Sequence, residues 1–417
     1  MSTPQASKNL IFLTILLAFI LSASFVLAAP AGSLPGPRYF IKTSNPFWQK
    51  SLGVRHIFEG GFTSDLSGIQ VALVKIFGLE IEPVEELHIL PVLPEEVIAE
   101  TIEKIIENPT AKPAVNISAR VSPSDQTPWG IEVIYDNPLI ASTSGGNEIN
   151  VAVLDSGVLK THADLKNRVK QCKDFTNAKT PIKDGICDDK NGHGTHVSGI
   201  ILADGGNDKL GIYGVAPEAN LLAYKVCGNN GSCWADDIAT ALRTAADNGS
   251  NIINMSLGSD NESFLIKDAI GYVVSKDVLI VAAGGNDGPY PVSIDYPAAN
   301  KLVVAVGAVD EALLVPDWSS LGINSSTSPF VVEEKDMEFG GPGVKVESTW
   351  KNGAYAVLSG TSMSSPHVAG LAAKFWQAGA LEGTRAQVTR DLLHQLAKDL
   401  WIIGDDNATG FGLPQIK

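Results

Sequence analysis

The chain has 417 residues and a formal net charge of −15, with 44% hydrophobic and 18% charged residues. That balance excludes a disordered tail, which would lack the apolar residues for a core. It also excludes a protein that holds nucleic acid through a basic face.

Lys8 precedes an apolar run from Asn9 to Leu21, and smaller residues follow, ending Val26-Leu27-Ala28-Ala29. A basic start, an apolar middle and small residues at a cut site predict a secretory signal peptide over residues 1–28. The alternative is a retained membrane anchor formed by residues 9–29, because the run approaches a bilayer's span. Beyond it, Leu66–Leu79 and Pro94–Glu107 are apolar-periodic. The second opens Pro94-Glu95-Glu96 and sets Val97, Ile98, Ile102, Ile105 and Ile106 on about one helical face. His88–Val92 between them predicts a strand, so a small α+β unit is expected. Asn108-Pro109-Thr110-Ala111-Lys112-Pro113 has the composition of a linker.

From Ile149 onward the pattern alternates. Strands are predicted at Asn150–Leu154, Asn220–Val226, Asn251–Leu257, Val278–Ala283 and Leu302–Val309. Helices are predicted at Thr195–Ala203, Trp234–Asn248 and Phe264–Ser275. Such alternation implies an α/β fold, a parallel sheet covered on both faces. Functional sites of these sheets lie at the carboxyl ends of the strands. Four cysteines are present, Cys172, Cys187, Cys227 and Cys233. In an exported chain an even set points to disulfides, and proximity favours Cys172–Cys187 with Cys227–Cys233. Zinc is the rival, without a Cys-x-x-Cys spacing to support it.

Three islands carry chemistry. Val151-Ala152-Val153-Leu154-Asp155-Ser156-Gly157 is an apolar strand ending in an acid and a turn. Asn191-Gly192-His193-Gly194-Thr195-His196 opens a helix with a histidine, and Gly360-Thr361-Ser362-Met363 opens one with a serine. A serine hydroxyl is a weak nucleophile until a base takes its proton. Histidine suits that base, and a carboxylate fixes its tautomer and stabilises the imidazolium. A helix start aims backbone N–H groups at an attacked oxygen.

In the order Asp, His, Ser, these islands resemble the subtilisin-like serine peptidases, the subtilases, over about residues 125–417. The resemblance implies a secreted serine endopeptidase on a subtilisin-like parallel sheet flanked by helices. It implies a catalytic set of Asp155, His193 and Ser362, and it selects His193 over His196. Val281-Ala282-Ala283-Gly284-Gly285-Asn286-Asp287-Gly288 resembles the segment with the family's oxyanion-hole asparagine, which carries over to Asn286. Ser256, Leu257 and Gly258 resemble one wall of the primary side-chain pocket, and Ala283-Gly284-Gly285 the other. Gly231 and Ser232 match the edge that pairs with substrate backbone. Asp295 falls at the pocket floor, where an acid favours a basic side chain before the cut bond.

The resemblance also implies structural calcium, with Asp125, Asp164 and Asp208 as side-chain ligands. Lys209 inside the calcium loop and Ala163 in place of a proline depart from the family pattern. Residues 29–120 resemble a propeptide that assists folding and inhibits, and residues 121–417 the peptidase domain. The self-inflicted cut is expected between about Lys112 and Ser124. The expected partners are protein and peptide substrates and the propeptide itself, for a monomeric enzyme with no nucleic acid.

Overall fold

The computed structural model describes residues 37–90, 119–178, 180–324, 331–376 and 383–416. The predicted signal segment, the helix Pro94–Glu107 and the linker 108–113 lie outside them. The chain divides into two compact units, 1–84 and 85–417.

In the first unit, β1 (Arg38–Ile41), α1 (Pro46–Leu52), β2 (Ile57–Phe58), β3 (Gly61–Asp65), α2 (Gly68–Ile76) and β4 (Ile81–Pro83) follow one another. The strands form an antiparallel sheet in the order β2-β3-β1-β4. Helix α2 is shorter than the periodicity of Leu66–Leu79 predicts. Its start is fixed by a capping box, in which Ser67 accepts from the Gln70 backbone N–H and Gln70 reaches back to the Ser67 N–H. Ile41, Phe62, Leu66 and Val74 form the small core. The expected α+β character is present here.

The second unit begins with β5 (Glu86–Ile89), then β6 (Ala119–Arg120) and α3 (Trp129–Ile134). Next come β7 (Asn150–Asp155), β8 (Val169–Asp174), β9 (Lys183–Asp184) and α4 (His193–Leu202). They lead to β10 (Asn220–Lys225), β11 (Ser232–Trp234), α5 (Ala235–Asp247), β12 (Ile252–Met255), β13 (Leu257–Gly258) and α6 (Phe264–Ser275). The chain continues through β14 (Leu279–Ala283), β15 (Val304–Val309), β16 (Phe339–Pro342), β17 (Val346–Thr349) and β18 (Tyr355–Leu358) to α7 (Thr361–Lys374) and α8 (Arg385–Leu396).

The main sheet has eight strands in the order β16-β15-β14-β12-β7-β10-β8-β9. Seven run parallel, and the two-residue edge strand β9 is antiparallel to β8, so the sheet is mixed rather than wholly parallel. Its central strands are buried on both faces, which explains their unbroken apolar runs. Val151, Val153, Leu221, Ala223, Ile252, Val281, Val304 and Val306 join one core with Val197, Ile200 and Ile201 of α4 and Met363, Val368 and Leu371 of α7. The alternate residues Ala152, Leu154, Leu222, Tyr224, Ile253 and Ile280 are buried as well.

Several boundaries differ from expectation by a residue or two, and two of them have a visible physical reason. The predicted strand Asn251–Leu257 breaks at Ser256. The Ser256 hydroxyl donates to the Ser362 carbonyl at 2.9 Å, and Leu257–Gly258 pairs in another sheet. Helix α4 starts two residues before the predicted Thr195, because Asp189 supplies its first N–H groups with acceptors. Helix α8 was not foreseen. Its Arg390 and His394 converge on the fully buried carboxylate of Glu338 at 2.6–2.7 Å.

Both proximity-favoured disulfides are formed, Cys172–Cys187 and Cys227–Cys233, and no cysteine is free. Cross-links act largely by restricting the unfolded chain, so the wider loop matters more. Replacing Cys172 and Cys187 together by serine should cost roughly 2–3 kcal/mol in a denaturant titration. The same change at Cys227 and Cys233, six residues apart, should cost less.

Candidate active site

Asp155 ends β7 in the middle of the sheet, opposite Lys225 at the end of β10. Its side chain is 1% exposed. Both carboxylate oxygens lie 2.9 Å from Nδ1 of His193, the first residue of α4. The Ser156 N–H adds a bond of 2.6 Å to Oδ1. Nδ1 therefore carries the proton, and the imidazole presents Nε2 as a lone pair. That Nε2 is buried and has no hydrogen-bond partner. The contact demands close backbone approach. A methyl group on Gly194 would lie 2.2 Å from the Gly157 carbonyl oxygen and 3.0 Å from the Asp155 Cβ, so only glycine fits there.

A second carboxylate holds this corner. Asp189 Oδ1 accepts from the Ser156 hydroxyl at 2.9 Å and from the N–H groups of Asn191 and Gly192 at 3.0 and 2.7 Å. Oδ2 accepts from the Thr195 N–H at 2.9 Å and its hydroxyl at 2.6 Å. Asp189 thus acts as the cap that α4 lacks at Gly192. Sequence reasoning missed it, although an acid four residues before a helix-opening histidine is a capping signal. Lys225, 7% exposed, donates to the Ser156 carbonyl at 2.5 Å. Burial lowers its pKa, and Asp189, Asp174, Asp155 and Asp188 oppose that fall.

Ser362 is the second residue of α7 and is 1% exposed. Its hydroxyl donates to the Ser256 carbonyl at 3.3 Å. The structure therefore joins Asp155 to His193 directly, while the hydroxyl of Ser362 rests on Ser256, just past the end of the adjacent strand β12. A serine–histidine hydrogen bond requires that hydroxyl to turn away from Ser256. Catalytic hydrogen bonds of this kind often tighten only when substrate binds.

Asn286 follows β14. Its Oδ1 accepts from the Thr361 N–H at 3.0 Å and the Thr361 hydroxyl at 2.9 Å, and the Gly285 N–H donates to the same hydroxyl at 3.1 Å. With the oxygen engaged, the donor end of the amide faces away from Thr361. Thr361 is a positioning residue that the sequence did not announce. His196 is buried, and its Nε2 donates to the carbonyls of Val346 and Ala356 at 3.1 and 3.0 Å. Burial pushes its pKa down to about 3, so it stays neutral inside the fold.

The edges expected to pair with backbone are paired within the chain itself. Strand β5 lies between β11 and β13, antiparallel to both, with Ser232 opposite His88, Gly258 opposite His88 and Leu257 opposite Ile89. The Ile89 N–H donates to the Gly231 carbonyl at 2.9 Å. Asp295 is buried beneath Gly258 and Gly285, where methyl groups would come within 2.8 Å of its side chain. Burial, then Asp287 and Asp260, pushes its pKa up to about 8.

The expected calcium ligands divide. Asp164 Oδ2 accepts from the Ile212 N–H at 2.9 Å and the Tyr355 hydroxyl at 2.8 Å, whereas Oδ1 is buried without a partner. Asp164 Oδ1 and Asp208 Oδ1 both close on Gly206, at 3.1 and 3.2 Å from where a Cβ would stand. An orphaned carboxylate oxygen beside a second acid is a hard-cation donor set. Among the described residues the three acids form no group within 4.8 Å of one another. Asp125 Oδ1 accepts from the Thr127 N–H at 3.0 Å. Gln126 is the residue that reaches the loop, donating to the carbonyls of Lys209 and Gly211. Lys209 donates to the Asp204 carbonyl at 3.2 Å.

The model of the subtilase family matches residues 146–412, a range that includes Asp155, His193, Asn286 and Ser362. The chain is a subtilase. It is 43% identical to a subtilisin of Bacillus sp. (strain TA39) over 88% of this chain and 87% of that one. The M-protease of Shouchella clausii (strain KSM-K16) is 36% identical over 71% of each chain. Among solved structures, the S41 psychrophilic protease is 48% identical with a TM-score of 0.67, covering 71% of this chain and all of that one. Sphericase matches with the same identity and TM-score, over 70% of this chain and 99% of its own. The protein is thus a subtilisin-like serine endopeptidase.

Asp189→Ala should loosen the start of α4 in this subtilase. The expected outcome is a loss of about 2–4 kcal/mol of stability, since several N–H groups lose one buried charged acceptor. kcat should fall more than KM changes, because His193 is misplaced rather than removed. Unfolding titrations and steady-state kinetics check both; wild-type stability and kcat would contradict the assignment.

Proposed function

We propose that this subtilase cuts exposed protein segments with Ser362 as nucleophile, His193 as general base and Asp155 as orienting acid. The observation that carries this is the buried Asp155–His193 contact, which leaves Nε2 unprotonated and unpaired. Nε2 accepts the Ser362 proton as the hydroxyl attacks the peptide carbonyl, then delivers it to the leaving amine. Water hydrolyses the resulting ester with His193 again as base. The Asn286 amide and the Ser362 backbone N–H stabilise the oxyanion. Engagement of the Asn286 oxygen by Thr361 supports that role.

Residues 1–28 would direct export, and residues 29–120 would act as a propeptide. The position of β5 supports an inhibitory tail, since it fills the groove between the edges at Gly231–Ser232 and Leu257–Gly258. The next bond, Leu90–Pro91, involves a proline nitrogen. The released chain would begin between about residues 112 and 119, because Ala119 and Arg120 already pair with β18. Strand β5 therefore blocks the groove rather than presenting the bond to be cut. The mature enzyme would act as a monomer. Asp164 and Asp208, with loop carbonyls, would hold calcium, which would neutralise their charge and stiffen the loop.

Wild type should shorten on expression, and Ser362→Ala should stay full length and inactive. Two full-length chains, both inert to a serine-directed inhibitor, would overturn the proposal. Asn286→Ala should lower kcat by about 10²–10³, the magnitude known for this donor in subtilisin itself. A calcium chelator should lower the thermal midpoint of the wild type by several degrees. Asp164→Asn should abolish most of that calcium-dependent difference, whereas Asp125→Asn should leave it in place.

A further inference from the structure

We propose that this enzyme selects a lysine or arginine immediately before the cut bond, held in a slot by the carboxylates of Asp260, Asp287 and Asp295. This deepens the function proposed for Ser362 and rests on it.

Each of the three acids offers an oxygen within 4.8 Å of the other two. Asp295 is only 2% exposed. Among the described residues no hydrogen bond or ion pair reaches its carboxylate, and no lysine, arginine or histidine pairs with Asp260 or Asp287. The titratable groups facing Asp295 are those two acids. Lys267, near the neighbouring Tyr296, is engaged by Glu262 at 2.8 Å. Burial beside two acids with no counter-charge holds the Asp295 carboxyl in its neutral form until a cation is brought to it.

The position identifies which cation. The Asp295 N–H donates to the Gly284 carbonyl at 2.9 Å, and Tyr296 bridges Ser259, so this segment spans the ends of β13 and β14. The walls are bare backbone at Gly258 and Gly285, and Gly285 adjoins Asn286. The pairing of β5 gives the depth. Leu257 stands opposite Ile89, so the next step sets Leu90 opposite Ser256, whose carbonyl holds the Ser362 hydroxyl. A substrate strand in this register delivers its residue before the cut bond to the mouth of the acidic slot. The chain's own residue at that step, Leu90, is apolar and buried, and it brings no charge that would ionise Asp295. A guanidinium or ammonium there would instead draw Asp295 into its ionised form.

Mature enzyme is given peptide amides that differ only in arginine, lysine or leucine before the cut bond. A charge-assisted contact of this kind corresponds to roughly a 10–100-fold advantage in kcat/KM for arginine over leucine. The Arg/Leu ratio should rise between pH 6 and pH 9, as Asp295 ionises. Ionisations that affect both peptides alike cancel in that ratio. Asp295→Asn should bring the ratio near one and flatten its pH dependence, and Asp260→Asn and Asp287→Asn should lower it in part. If the leucine peptide is cut and arginine is not favoured at pH 9, the slot does not read basic residues and this inference fails alone. If neither peptide is cut, the function proposed for Ser362 fails and takes the inference with it. If Asp295→Asn loses calcium binding by calorimetry while the Arg/Leu ratio is unmoved, the slot is a metal site and the inference is wrong.

Discussion

The site depends on keeping one carboxylate charged out of water. Burying an isolated ion costs several kcal/mol, so Asp155 needs compensation close at hand. It receives the Nδ1 proton of His193 and the Ser156 N–H, with the ammonium of Lys225 bonded to the Ser156 carbonyl. The same bonds fix the imidazole tautomer. Compensation of the buried carboxylate and orientation of the imidazole are therefore one set of contacts.

The parallel sheet makes those contacts possible. β7, β12 and β14 end side by side, and the chain leaves them carrying Asp155, Ser256 and Asn286 in turn. Helices α4 and α7 enter from one face of the sheet, bringing His193 and Ser362 by their first turns. Each helix start is supplied with partners: Asp189 serves α4, while Thr361 ties the start of α7 to Asn286. In the proposed mechanism small shifts in either start would move a reacting atom, which ties the capping residues to the chemistry as well as to the fold.

Much of this was legible in the sequence. Strands alternating with helices named the α/β fold class, and the resemblance to the subtilases picked out Asp155, His193 and Ser362 as the expected catalytic set. What escaped was information that lies between distant segments. Lys225 acts on the Ser156 carbonyl from another strand, and nothing in its local pattern reveals that partner. Asp189, four residues before His193, carried a capping signal, but its bond to Ser156 spans separate segments. The resemblance pointed to Asp125 as a calcium ligand; the structure shows its Oδ1 accepting from the Thr127 N–H, while the neighbouring Gln126 reaches the loop, a contact the sequence did not reveal. Asp295 was expected at the pocket floor, but Asp260 and Asp287 look like ordinary loop residues until folding brings them beside it.

The central claim is that Asp155 holds His193 with its proton on Nδ1 and a bare Nε2. Nitrogen-resolved NMR of the histidine side chains at alkaline pH tests it most directly. The account predicts a protonated Nδ1 and an unprotonated Nε2 for residue 193, with the preference lost in Asp155→Asn. A neutral ring protonated on Nε2 in the wild type would contradict it.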